Sequence, residues 1–106
     1  MSTYMKNGSL SVITQREIDL FVDRKTKKIE PAGLIDLANH MAREVLEQYV
    51  RRCGPIKQED FQIEIHPDTA RFLELSSGKI GEIVIVRDDE VPRGYLFGRK
   101  RDDPIA

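Results

Sequence analysis

The sequence predicts an α+β domain, with one long amphipathic helix packed on a small mixed β-sheet, a second short helix and extended polar termini. Three observations carry this. Residues 31–52 place apolar side chains at helical spacing, between Pro31 and the pair Gly54-Pro55. Segments with period-two alternation or β-branched runs follow at 61–65, 80–86 and 95–97. The chain has 106 residues and is 40% hydrophobic, enough for one core, since domains run from roughly 50 to 250 residues. We assign 1–9 to a flexible polar arm, 10–98 to a single domain and 99–106 to a charged tail.

Residues 10–13 read as a short strand. Thr14 and Glu17 then have the S/T-x-x-E spacing of a capping box, which would start a short helix near Gln15. Against it, Ile18, Leu20 and Val22 alternate with Asp19, Phe21 and Asp23, and Asp23-Arg24-Lys25-Thr26-Lys27 resembles a hairpin turn before Lys28-Ile29. Alternation and β-branched content favour the hairpin. In the long helix, Leu34, Ile35, Ala38, Met41, Ala42, Val45, Leu46, Tyr49 and Val50 form the apolar face. Pro31 suits a first turn, Arg51 and Arg52 suit the negative end of the dipole, and Gly54 suits a left-handed cap. At 1.5 Å per residue the helix spans about 30 Å.

Phe61, Ile63 and Ile65 alternate with Gln62 and Glu64, as in a half-buried strand. His66-Pro67-Asp68-Thr69 turns into a short helix with Ala70, Leu73 and Phe72 inward, ended by Ser76-Ser77-Gly78. Residues 80–86 read as one strand, with 83–86 apolar enough for burial on both faces. Asp88-Asp89-Glu90 is a charged loop, Val91-Pro92-Arg93-Gly94 a turn, and Tyr95-Leu96-Phe97 a last short strand.

The 17 basic and 18 acidic residues give a net charge of −1, which argues against a uniformly basic nucleic-acid binder. No apolar run approaches the about 20 residues of a membrane helix, and residues 1–10 lack the apolar stretch of a secretory signal. The single cysteine, Cys53, excludes an intrachain disulfide and suggests a cytoplasmic or other reducing compartment. Its place at a helix C-terminus opposes a reactive thiolate.

No chemical motif is complete. His40 and Glu44, at i and i+4, share a helix face and could begin a metal site, but the sequence puts no third ligand beside them. His66 sits before Pro67 at a strand-to-helix junction, where a capping role competes with general-base work. Asp88, Asp89 and Glu90 lack the order of a calcium loop. Neither a phosphate-binding loop nor a dinucleotide fingerprint occurs, so we expect no metal, no cofactor and no catalytic residue. Basic clusters at Arg24-Lys25 with Lys27-Lys28, at Arg51-Arg52 and at Arg99-Lys100-Arg101 are interleaved with acids, which suits protein contacts at least as well as phosphates.

The order of elements from residue 31 to 98, together with Val91-Pro92-Arg93-Gly94 running into Tyr95-Leu96-Phe97-Gly98, resembles the A-domain of tailed-phage major capsid proteins and encapsulins. Residues 1–30 lie outside the resemblance. It implies symmetric assembly, a virion setting and no catalysis. The leading expectation is a structural or assembly protein, cytoplasmic or virion-borne, acting through protein–protein contacts as a homo-oligomer, with no membrane. Its expected interface residues are Arg24, Lys25, Lys27, Lys28, Asp88, Asp89, Glu90 and Arg93. The alternatives are a small regulatory or nucleic-acid-binding module, and an enzyme using His66 with Asp68 or the acidic loop.

Overall fold

A computed structural model describes residues 8–75 and 78–101. The strands are β1 (Ser9–Val12), β2 (Phe61–Ile65), β3 (Lys79–Ile80), β4 (Ile83–Arg87) and β5 (Tyr95–Lys100). The helices are α1 (Gln15–Asp19), α2 (Pro31–Cys53) and α3 (Pro67–Phe72), with a 3-10 turn at Gln58–Asp60. The sheet runs β1-β5-β2-β4-β3, parallel only between β2 and β4. This is the α+β class that the sequence predicts. Among the described residues, no helix is long and apolar enough to cross a membrane.

α2 begins at Pro31 and ends at Gly54, whose φ of 102° only glycine adopts without strain. Its buried ridge is Leu37, Ala38, Met41, Ala42, Val45 and Tyr49. Leu37 takes the place that the sequence pattern gave to Ile35, which is 63% exposed; Val50 also lies off the ridge. The Leu37-Met41-Val45-Tyr49 row follows i, i+4 spacing, and Ile35 projects from the first turn beside it.

This ridge packs on one face of the sheet against Phe61, Ile63, Ile65, Ile83, Ile85 and Leu96. Ala70 and Leu73 join the same core, and Ile18 and Phe21 pack on its edge, so the helix layer lies on one side. Where α2 approaches most closely, the sheet is cut back to Gly98. A methyl group there would fall inside van der Waals contact with Val45 Cγ1 and Phe61 Cζ. The neighbour of Gly98 on β1 is Ser9, also small and fully buried.

Several expectations need correction. The hairpin over 18–29 does not form. Instead Thr14 caps α1 with both halves of the capping box present, and Asp23 and Lys28 close a polar turn through Asp23 N–H to Lys28 O at 2.8 Å. The alternation of 18–22 had matched a strand period, but the reciprocal cap satisfies helix-end donors that a strand would leave to other partners. Residues 80–86 are not one strand: Gly81, at φ 60°, turns β3 back onto β4. β4 is buried on one face only, since Val84 is half-buried and Val86 is 36% exposed. β2 is not half-buried but wholly buried, Gln62 and Glu64 included. Phe72 is exposed at the end of α3, where Thr69, Ala70 and Leu73 are the residues turned inward. Ser9, Arg99 and Lys100 belong to strands, so the sheet extends past both borders placed at 10 and 98. The remainder of the termini, and Ser76-Ser77, lie outside the described residues.

Gly98→Ala should lower stability by about 1–3 kcal/mol, the usual cost of overpacking. The loss should shrink when Val45→Ala is added, because the second change removes an atom that the new methyl meets. Urea unfolding of the two single variants and the double variant checks this as a cycle.

Candidate functional site

The sheet has a second face that carries no described helix. Cross-strand partners share a face, so the register assembles Leu10, Val12, Gln62, Glu64, Val84, Val86, Tyr95, Phe97 and Arg99 there. Leu10, Val12 and Val86 are 37%, 43% and 36% exposed. Phe97 is buried.

At the centre of this face Glu64 is buried beside Arg99. Arg99 Nε donates to Glu64 Oε2 at 2.5 Å, and Gln62 Nε2 donates to the same oxygen at 3.0 Å. Glu64 Oε1 is buried with no hydrogen-bond partner among the described residues. Arg99 offsets the charge, yet one acceptor stays unsatisfied, which is costly inside a protein.

β1 is one edge of the sheet. Ile13 N–H donates to Gly94 O at 2.7 Å, so odd-numbered residues of this strand direct their backbone groups toward β5. Leu10 and Val12 therefore present their N–H and C=O groups outward. The segment Gly8-Ser9-Leu10-Ser11-Val12-Ile13 holds neither charge nor proline, the devices by which edges are usually protected. The opposite edge, β3, has two residues, one of them Lys79.

The residues expected at an interface occupy two separate segments. Asp23 Oδ1 accepts from Thr26 N–H at 3.1 Å and Lys25 N–H at 2.7 Å, and these bonds hold its carboxyl below the usual aspartate range. Arg24, Lys25, Lys27 and Lys28 project from that turn and are exposed. In the other segment Asp88 Oδ1 accepts from Glu90 N–H at 2.9 Å, and Asp89 and Glu90 are exposed. Arg93 donates through Nε to Asp68 Oδ2 at 2.8 Å, and this bond keeps the Asp68 carboxyl below its ordinary value.

His66 is the N-cap of α3: its Nδ1 accepts from Asp68 N–H at 3.0 Å. The ring nitrogen nearest Asp68 is thus occupied by a backbone donor, and Asp68 is held by Arg93. His40 has a different setting. Its Nε2 lies 3.1 Å from Glu17 Oε2 and 3.7 Å from Glu44 Oε1. Glu17 is the neighbour that sequence spacing did not supply. The capping box marked its position, and the preference for a hairpin hid it. Burial raises the Glu17 pKa, but bonds from the Thr14 backbone and hydroxyl and from His40 outweigh this and hold the carboxyl below the usual glutamate range. Cys53 is exposed at the end of α2.

Compared with known proteins, the chain matches no family model, no curated protein and no solved structure.

Two outcomes follow from these contacts. Arg99→Met alone strands the Glu64 carboxylate and should cost about 3–5 kcal/mol, whereas the double change Glu64→Leu with Arg99→Met should cost clearly less, as measured by urea unfolding. Because the Glu17 pKa is depressed, its contribution is present above the usual glutamate range and is lost as pH falls through the depressed value. Thr14→Ala should lose about 1 kcal/mol at neutral pH and show a shallower decline in urea midpoint on acidification.

Proposed function

We propose that this chain is a non-catalytic assembly protein that acts through protein–protein contacts, and that its first partner is a second copy of itself joined along β1. The observation that carries this is the β1 edge, beyond which no described strand lies. Outward backbone groups of Leu10 and Val12 lie beside their own exposed side chains, with no charge or proline to discourage pairing. Antiparallel pairing of two β1 strands about a two-fold axis is self-complementary, as a closed dimer requires. It satisfies the edge groups and sets each copy's exposed Leu10 and Val12 beside apolar side chains of the other.

The same pairing makes one continuous sheet whose second face carries no described helix. That face offers further contacts to a larger assembly, in which the charged 23–28 turn and 88–93 loop give orientation rather than affinity. The virion setting belongs to the proposal on the resemblance of residues 31–98 alone. The nucleic-acid alternative gains nothing from Arg99, which is engaged by Glu64. The His66 enzyme alternative gains nothing from a ring nitrogen engaged in capping.

Light scattering on a size-exclusion column should give a mass near twice 12.2 kDa, or a discrete multiple of it. Val12→Lys places a charge on the pairing edge at an exposed site and should return the monomer with unchanged circular dichroism. A monomeric wild type at the highest soluble concentration would overturn the proposal, as would a multimer indifferent to Val12→Lys.

A further inference from the structure

At the contact of α1 with α2, three ligand-capable side chains converge: Glu17, His40 and Glu44, each partly buried, with ligand atoms all within 4.8 Å of one another. They come from two elements. Glu17 belongs to α1, while His40 and Glu44 stand one turn apart on α2. The site shares no residue with the β1 edge.

The separations from His40 fit an ion. Zinc–ligand lengths of about 2.0–2.1 Å place the ligands of a tetrahedral site about 3.3–3.4 Å apart. The His40 Nε2 separations of 3.1 Å and 3.7 Å bracket that value. Hydrogen bonding accounts for only part of the arrangement. A neutral imidazole has at most one proton on Nε2, and of the two carboxylates only Glu17, at 3.1 Å, is near enough to receive it in the tautomer that carries one there. Glu44 at 3.7 Å is beyond hydrogen-bond range. A divalent cation would engage all three groups and offset both carboxylates.

The ligands are also held in place. Glu17 Oε1 accepts from Thr14 N–H at 3.1 Å and from Thr14 Oγ1 at 2.9 Å, which leaves Oε2 toward His40. The Phe21 ring lies against the His40 imidazole, 5.7 Å between centroids. Such outer contacts orient metal ligands and raise affinity. The donor set chooses the class of ion. An imidazole nitrogen suits zinc and its transition-metal neighbours, whereas calcium and magnesium want shells of oxygen.

We propose that Glu17, His40 and Glu44 bind one divalent transition-metal ion of the zinc class, with the remaining coordination left to water, and that the ion fastens α1 onto α2. The test is calorimetric titration of the full chain with zinc chloride, carried out in a Cys53→Ser background so that the exposed thiol does not compete. Saturable binding of one ion per chain is expected, with magnesium unable to displace it. His40→Gln and Glu44→Gln should each weaken binding by about 10-fold or more, and His66→Gln should leave it unchanged. Circular dichroism checks the folding of each variant. If His40→Gln does not fold, Glu44→Gln decides, since that side chain is 43% exposed. Absence of saturable binding, or binding that survives the loss of Glu44 and His40 or depends on His66, would overturn the proposal.

Discussion

The fold depends on how closely α2 can approach the sheet. Interiors are packed as densely as organic crystals, so an extra methyl at the closest point has nowhere to go. At that point β5 has Gly98 and β1 has Ser9, and the space above them is filled by Val45 from the helix and Phe61 from the strand alongside. This contact aligns the helix over β1, β5 and β2 together. It fixes the register as well, because a one-residue slip of β5 would put Phe97 or Arg99 under the helix in place of Gly98. The other face of the sheet takes its composition from the same register.

That second face is a compromise between an interior and a surface. β2 lies at the middle of a five-stranded sheet, so even its outward residues are screened by neighbours on both sides. Glu64 is buried there although no described helix covers that face. A carboxylate in that position needs a cation, and Arg99, diagonal to it across the β2–β5 pair, provides one. On β1 itself Leu10 and Val12 meet solvent, while Phe97, the β5 partner of Leu10, is buried.

Much of the fold was legible in the sequence, for reasons that differ between elements. α2 was readable because its signals are local and redundant: Pro31, the i, i+4 row, the terminal arginines and Gly54 all agree. The capping role of His66 was readable as the competing interpretation of an X-Pro junction. Burial of Gln62 and Glu64 was not readable, since alternation reports which face a residue takes and not whether neighbouring strands screen that face. The turn at Gly81 was hidden by an apolar run that looks the same whether one strand or two pass through it. At 14–22 two local signals conflicted. The cap prevailed because it rests on specific hydrogen bonds, Thr14 to Glu17 and back, while alternation over a few residues distinguishes a short strand poorly from a helical turn. That choice also decided the candidate site, since only the helical form presents Glu17 to His40.

Residues 8–30 hold both the β1 edge and the α1 side of the cluster. β1 gives the sheet an edge without charge or proline, and α1 gives α2 its cross-element neighbour. The two are joined through Ile13 and Thr14. Ile13 extends the β1–β5 pairing to Gly94, and Thr14 is already the cap of α1. With only those residues between strand and helix, a shift of β1 along β5 would move the Thr14 cap and, with it, Glu17. The edge and the Glu17–His40–Glu44 cluster are thus mechanically linked.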